Sequence, residues 1–376
     1  MSRLTVVVLG IAGQSPFAGV AWQALHYVED TGEWPFDPER NAITDDPAYT
    51  VGYLGRLMAE RGLGERWAYR SAAREGRVFG LSDAALAQVL ARADVLVNVT
   101  AATVLRDEHL RVPVRIYLET DPVLPQIEIA QGTRFTIDFL GAHTHHCTFG
   151  ENLGTPWCPI PTGPFAYRPT RQPVVLDWWA ASGRAGSGRL RLTTVASWRQ
   201  TGKDIAWNGQ VYAWSKHRQF ARFVEVPRGT GADFELALTR VDPGALAQLR
   251  ANGWTVEDAV ALSREPKPYR DYIQASGAEF TVAKDQYVLP RSGWFSDRSA
   301  CYLAAGKPVV TQDTGFGRVL PTGRGLFAFD SIDGARAAVD AIAADYARHA
   351  AAAREIAAEY FGAERVLARL LATAGL

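Results

Sequence analysis

The residues best suited to chemistry cluster late in the chain. Lys284 and Arg291 precede Ser296-Asp297-Arg298, which reads as the capped start of a short helix that Gly306 ends. Strand residues Pro308-Val309-Val310-Thr311-Gln312 follow, then the acidic glycine loop Asp313-Thr314-Gly315-Phe316. A helix N-terminus flanked by cationic side chains and exposed amides suits a diphosphate. A carboxylate beyond the next strand can accept hydrogen bonds from sugar or ribose hydroxyls. Lys203, in the Gly202-Lys203-Asp204 turn, adds a further cation. Lysine is scarce beside arginine: Lys203, Lys216, Lys267, Lys284 and Lys307 are all there are, and all lie in the second half. A composition bias toward arginine accounts for the scarcity. The lysines that survive it stand out, because a compact ammonium is not always replaceable by a guanidinium.

The first half offers three further groups. The loop from Gly10 to Phe17, containing Gly13 and Gln14, follows an apolar strand, and Ser15-Pro16 opens a helix, so free amides point out of the turn. It is not the GxGxxG of a dinucleotide site. Glu119 and Asp121 end a buried strand before Pro122, which gives an acceptor-side or general-base role on one reading and turn chemistry on the other. His143-Thr144-His145-His146-Cys147 resembles a metal cluster only superficially. On a strand His143 and His145 share a face and His146 points away, so zinc is not expected. His143 suits a general base or an acceptor contact as well as structural hydrogen bonding. No Asp-x-Asp triplet occurs, and no metal site is expected. Trp178, Trp179, Trp198, Trp207, Trp214 and Trp294 could stack on sugar or base rings, although core packing is the better explanation of any single one.

These groups need a scaffold. With 376 residues and 47% hydrophobic content, the chain is long enough for two cores. Its 40 Lys and Arg balance 40 Asp and Glu, so no overall basic field exists for nucleic acid or an anionic membrane. Three scattered cysteines argue against a disulfide framework and for a reducing cytoplasm. No run approaches the roughly 20 apolar residues of a membrane span. Strands are expected at 4–9, 94–99, 114–118 and about 142–149, with a helical pattern through about Tyr27 and a helix opening at Ser82-Asp83. More strands are expected at 189–197, 234–238, 279–283, 308–312 and 326–329, followed by two or three alanine-rich helices to about Leu371. This alternation implies an α/β fold of two Rossmann-like domains with ligands at the carboxyl ends of strands. Prolines and glycines mark 155–188 as a linker between an acceptor-side domain, 1–154, and a donor-binding domain, 189–345, with C-terminal helices at 346–376.

Ala304-Ala305-Gly306-Lys307-Pro308-Val309-Val310 with Asp313-Thr314-Gly315 resembles the donor half of GT-B glycosyltransferases, especially those with a CgeB-like, "glycosyl transferases group 1" domain. The resemblance covers about Glu279 to Phe329. It extends more loosely to Ala196-Ser197-Trp198 with Gly202-Lys203, and to the first glycine loop. It implies two domains facing across a cleft. It also implies transfer of a sugar from a nucleotide diphosphate-sugar, as co-substrate rather than cofactor, to an unidentified acceptor. Donor contacts are expected from Gly13, Gln14, Lys203, Lys284, Arg291, Ser296, Asp297, Arg298, Asp313, Thr314, Gly315 and Phe316, with catalysis from Glu119, Asp121 or His143. Many retaining members carry two glutamates around the short helix where this chain has Gly293 and Cys301, and the family's second strand is expected to be missing or abbreviated after Tyr27. A non-catalytic nucleotide-sugar binder and a nucleotide-sugar epimerase are the alternatives on the same fold. A nicotinamide-dependent dehydrogenase fits poorly without GxGxxG.

Overall fold

The computed structural model describes residues 4–10, 25–40, 42–180 and 188–376. Its first half is built on strands Val6–Leu9 (β1), Leu25–Glu29 (β2), Trp67–Ser71 (β3), Arg77–Gly80 (β4), Val95–Val99 (β5), Val114–Glu119 (β6), His145–Thr148 (β7) and Tyr167–Pro169 (β8). They form one sheet in the order β8-β7-β6-β5-β1-β2-β3-β4, parallel except for the antiparallel β3/β4 pair at one edge. The second half uses Arg191–Ser197 (β9), Asp233–Thr239 (β10), Trp254–Asp258 (β11), Ala278–Thr281 (β12), Val309–Gln312 (β13) and Leu326–Phe329 (β14). Its six-stranded sheet runs β11-β10-β9-β12-β13-β14 and is parallel throughout. Central strands such as β1 and β5 are buried along their whole length and apolar but for Asn98, as suits strands covered on both faces.

Several expectations are corrected. The helical pattern does not reach Tyr27, because Leu25–Glu29 is a strand paired in parallel with β1. The second strand is therefore present, as suits its β-branched and aromatic residues Tyr27 and Val28. The segment 155–188 is more than a linker, since it donates the edge strand β8 to the first sheet. Ser82 caps Asp83–Arg92 as expected, its side chain accepting from the Ala85 N–H.

The alanine-rich tail forms Ile332–Ala344, Tyr346–Ile356 and Ala363–Thr373. The first of these helices packs Ala335, Val339 and Ile342 against the second sheet. The last returns to the first half, where Leu370 joins Val6, Val95 and Ile116 in one core. Among the described residues no helix is long and apolar enough to cross a membrane.

The two halves meet at the carboxyl ends of their strands. The Trp294 indole N–H donates to the Thr120 carbonyl at 2.9 Å. Asn152, just beyond β7, donates from its backbone to Ser292 at 3.0 Å and from its side chain to the carbonyls of Arg291 (2.8 Å) and Gly315 (3.2 Å). Gly293 accommodates this contact: its φ is 78°, and a Cβ would lie 2.7 Å from the Asn152 nitrogen. Gly293→Ala therefore combines left-handed strain with a clash. We expect it to lower unfolding stability by about 1–3 kcal/mol, read as a reduced urea midpoint, and an unchanged midpoint would contradict this account of the seam.

Candidate functional site

Lys284, three residues past the end of β12, is the N-cap residue of a short turn of helix, Asp285–Val288. A chain of amides fixes that turn. Gln219 donates to Asp285 at 2.5 Å and accepts from Gln312 at 2.7 Å, while Gln312 accepts from the Ala283 N–H at 3.2 Å. Gln286 donates to the Lys203 carbonyl at 2.5 Å, tying the Gly202-Lys203 turn to the same place. The Lys284 ammonium lies 3.0 Å from the centre of the Trp214 ring, and Lys203 approaches that ring at 4.8 Å. A small hairpin, Ile205–Trp207 with Gln210–Tyr212, stands just before Trp214 in the chain.

Opposite them, Asp121 projects from the loop after β6. Its carboxylate is 3.3 Å from the Lys284 ammonium and accepts a short hydrogen bond from the Tyr287 hydroxyl. Burial alone would raise the Asp121 carboxyl, but Lys284 and the Tyr287 hydrogen bond hold it below the usual carboxylate range. Burial lowers Lys284, with Asp121 opposing.

Lys216 was not singled out as a site residue from the sequence, yet it belongs here. Its ammonium has no hydrogen-bond or ion-pair partner among the described residues, although the residue is only 7% exposed. Burial, then Arg298 and Lys284, push it well below the usual lysine range, against Glu279 and Asp297. Its rarity as one of five lysines was the available signal. Asp297, exposed at the start of helix Asp297–Ala304, bears electrostatically on Lys216, Lys284 and Arg298.

Other expected donor residues are engaged within the protein itself. Arg298 turns inward, donating to Glu279 at 2.5 Å, the Val195 carbonyl at 2.9 Å and Thr281 at 2.9 Å. Burial works against its charge, but Glu279 keeps it protonated. Ser296 occupies the N-cap position without a side-chain cap bond. Phe316 is core, packed edge-on to Phe295. Thr314 donates to the Trp294 carbonyl. Arg291 pairs with Asp313 at 2.8 Å in an exposed bridge, and Asp313 also accepts from the Gly315 N–H at 2.7 Å. Gly13 and Gln14 lie outside the described residues.

Glu119 and His143 stand behind the site. Glu119 accepts from Thr148 at 2.5 Å and Gln126 at 2.7 Å, and Gln126 in turn accepts from the Val123 N–H at 2.5 Å. That chain pins Val123 at a φ of 90°, unusual for a β-branched residue, and so shapes the loop that presents Asp121. Burial pushes Glu119 up to about 8 despite these hydrogen bonds. His143 is buried with both nitrogens engaged, one by the Phe139 carbonyl at 3.0 Å and one by the Asn98 amide at 3.1 Å. Burial lowers it to about 4. Its expected face-mate is also corrected: the strand begins only at His145, so His143 lies near His146 instead, their rings 6.4 Å apart. Asp30, Glu108 and His109 form the one group among the described residues close enough to share a cation. However, Arg70 and Arg106 already bind its carboxylates, at 2.5–2.8 Å.

No protein-family model matches the chain, and comparison with curated proteins finds no match. Solved structures similar to it include Anabaena Alr3699/HepE in complex with UDP and glucose, at 11% identity and a TM-score of 0.55, covering 99% of this chain and 100% of that one. Another is sucrose-phosphate synthase from Thermosynechococcus elongatus, at 12% identity and a TM-score of 0.52, covering 98% of this chain and 97% of that one. Likeness at this identity establishes the fold: two α/β domains of the GT-B type.

The native chain keeps the Glu119 proton to about pH 8, whereas the unfolded chain releases it near 4.5. The folded state thus holds the extra proton across that window, and this group's contribution to stability falls as pH rises through it, by at most about 1.4 kcal/mol per unit. Glu119→Gln removes that dependence. We expect the wild-type stability, relative to Glu119→Gln, to fall from pH 5.5 to 7.5 in parallel urea titrations. A constant difference would mean that Glu119 is not protonated in the native state.

Proposed function

We propose that the protein is a glycosyltransferase that moves a sugar from a nucleotide diphosphate-sugar to a still unidentified acceptor, with no further cofactor. The observation that carries this reading is the convergence of Lys203, Lys216 and Lys284 at the carboxyl ends of the second sheet's strands, with Lys216 unpaired among the described residues. Parallel α/β sheets bind ligands at that edge. The GT-B fold supports the same reading, and HepE, which shares it, has been solved with UDP-glucose. The Ala304–Val310 and Asp313–Gly315 resemblance favours the CgeB-like group within it.

In the proposed reaction, the bond between the anomeric carbon and the diphosphate oxygen breaks and its electron pair stays on the diphosphate. The acceptor oxygen forms the new bond to carbon, and its proton passes to a base, for which Asp121 is the candidate. Lys203, Lys216 and Lys284 would neutralise the leaving group as fixed electrostatic stabilisers, in the role a divalent metal plays elsewhere. Gly293 and Cys301, standing where related enzymes have glutamates, favour a second reading in which the chain binds nucleotide-sugar without turnover.

Isothermal titration against a panel of nucleoside diphosphates, uridine diphosphate first, tests the common part. Wild type is expected to bind at least one, and Lys216→Ala with Lys284→Ala to weaken that binding by about 100-fold or more. Equal affinity in the double variant, or no binding to any member, would remove the assignment. Donor hydrolysis above background then separates the enzyme from the binder.

A further inference from the structure

We propose that Asp121 is an internal counterion that holds the diphosphate's place on Lys284, so that donor binding must exchange one anion for the other and thereby frees the Asp121 carboxylate at the moment the donor is seated. This rests on the reading that the second half binds a diphosphate.

The geometry supports the exchange in three ways. First, Lys284 has little room for two anions. Its side chain is only 9% exposed, the Trp214 ring covers it at 3.0 Å, and Asp121 holds it at 3.3 Å. An ammonium so enclosed accepts a phosphate oxygen most readily where the carboxylate now stands. Second, Asp121 belongs to the other half of the molecule. Its contact with Lys284 and its hydrogen bond from Tyr287 therefore pin the two halves together, beside the Trp294 bond to the Thr120 carbonyl, while the stacking of Tyr287 on Trp294 at 4.2 Å steadies the second half's side of the contact. Third, the local charge balance leaves the exchange open. Lys203, Lys216 and Lys284 face Asp121 and Asp297, while Arg298 is spent on Glu279. The lysines outnumber the carboxylates they face, and a diphosphate brings more negative charge than the single carboxylate it displaces, which favours the protonated form of Lys216 that burial otherwise opposes.

The same exchange would order the reaction. While Lys284 holds Asp121, the carboxylate is a poor proton acceptor, because its charge is already satisfied by an ammonium and a phenol. Once the diphosphate takes the lysine, Asp121 loses its counterion and becomes a better base, but only when a donor is present. The acceptor hydroxyl would then meet a competent base only in the loaded site.

The test is titration calorimetry of inorganic pyrophosphate and the nucleoside diphosphate panel into wild type, Asp121→Asn, Lys284→Met and the double variant. Removing the internal counterion should tighten diphosphate binding by about 5-fold or more, and the gain should vanish in the Lys284→Met background. Unchanged or weaker binding by a folded Asp121→Asn, with wild type still binding nucleotide, overturns the exchange and leaves the glycosyltransferase reading in place. Absence of binding by every form sinks both. Hydrogen exchange on wild type gives an answer that no variant's folding can obscure: pyrophosphate should speed exchange at 120–126 while slowing it at 284–288. Protection at both segments would mean that Asp121 stays where it is.

Discussion

The site depends on keeping ammonium groups dehydrated at the join between two domains. A buried ammonium costs several kcal/mol unless something replaces its water, and the three lysines meet that cost differently. Lys284 has a carboxylate and an indole face, Lys203 stays exposed beside the same indole, and Lys216 has no partner among the described residues. The surrounding structure holds these positions largely through amides and backbone carbonyls. The Asp285, Gln219 and Gln312 chain and the two carbonyls gripped by Gln286 fix the backbone around Lys284 without cancelling its charge. The result is a braced seam in which the lysines outnumber the carboxylates they face.

Arg298 shows the opposite solution a few residues away. Its guanidinium satisfies three scaffold acceptors, and Glu279, fully buried on β12, absorbs its charge. Together they bind helix Asp297–Ala304 to the sheet, which fixes where Asp297 emerges. The first domain follows a similar logic. Glu119, Gln126 and Thr148 form an inner brace, the strained Val123 is its consequence, and Asp121 is the group it delivers to the surface. In both halves a buried polar network determines where a more accessible carboxylate stands.

The sheet rhythm was legible because central parallel strands are continuous apolar runs. Val6–Leu9 is wholly apolar, Val95–Val99 is broken only by Asn98, and Val309–Gln312 opens on two valines. Edge strands lack that signal. Trp254–Asp258 carries Thr255, Glu257 and Asp258, and Tyr167–Pro169 ends in proline, so neither stands out from loop sequence. Lys203, Lys284 and Asp313 could be found because a glycine or a strand end marks each of them. Lys216 could not be placed in the same way, since its position depends on a hairpin and a helix start that no capping residue marks. The direction of Arg298 was equally hidden: an arginine early in a helix can face either way, and only the buried Glu279 beneath it decides. Asn152 and Tyr287 act across the seam, and local spacing carries no trace of a partner more than a hundred residues away.

Asn152 also accounts for the chain's main departure from the glycosyltransferases it resembles. A side chain at 293 would need to leave a left-handed backbone and pass through the space Asn152 fills, so a carboxylate cannot be restored there without opening the seam. At 301, burial pushes the cysteine thiol well above its usual range, leaving a neutral group that cannot stand in for a second carboxylate. Acidic contacts to a sugar or ribose would then have to come from elsewhere. Asp297 is exposed at the helix start and Asp313 is partly tied to Arg291, which leaves Asp297 as the acid best placed to accept from a hydroxyl. Asp297 also bears electrostatically on Lys216, so on the proposed reading a change in donor preference should be sought first in the neighbours of that pair.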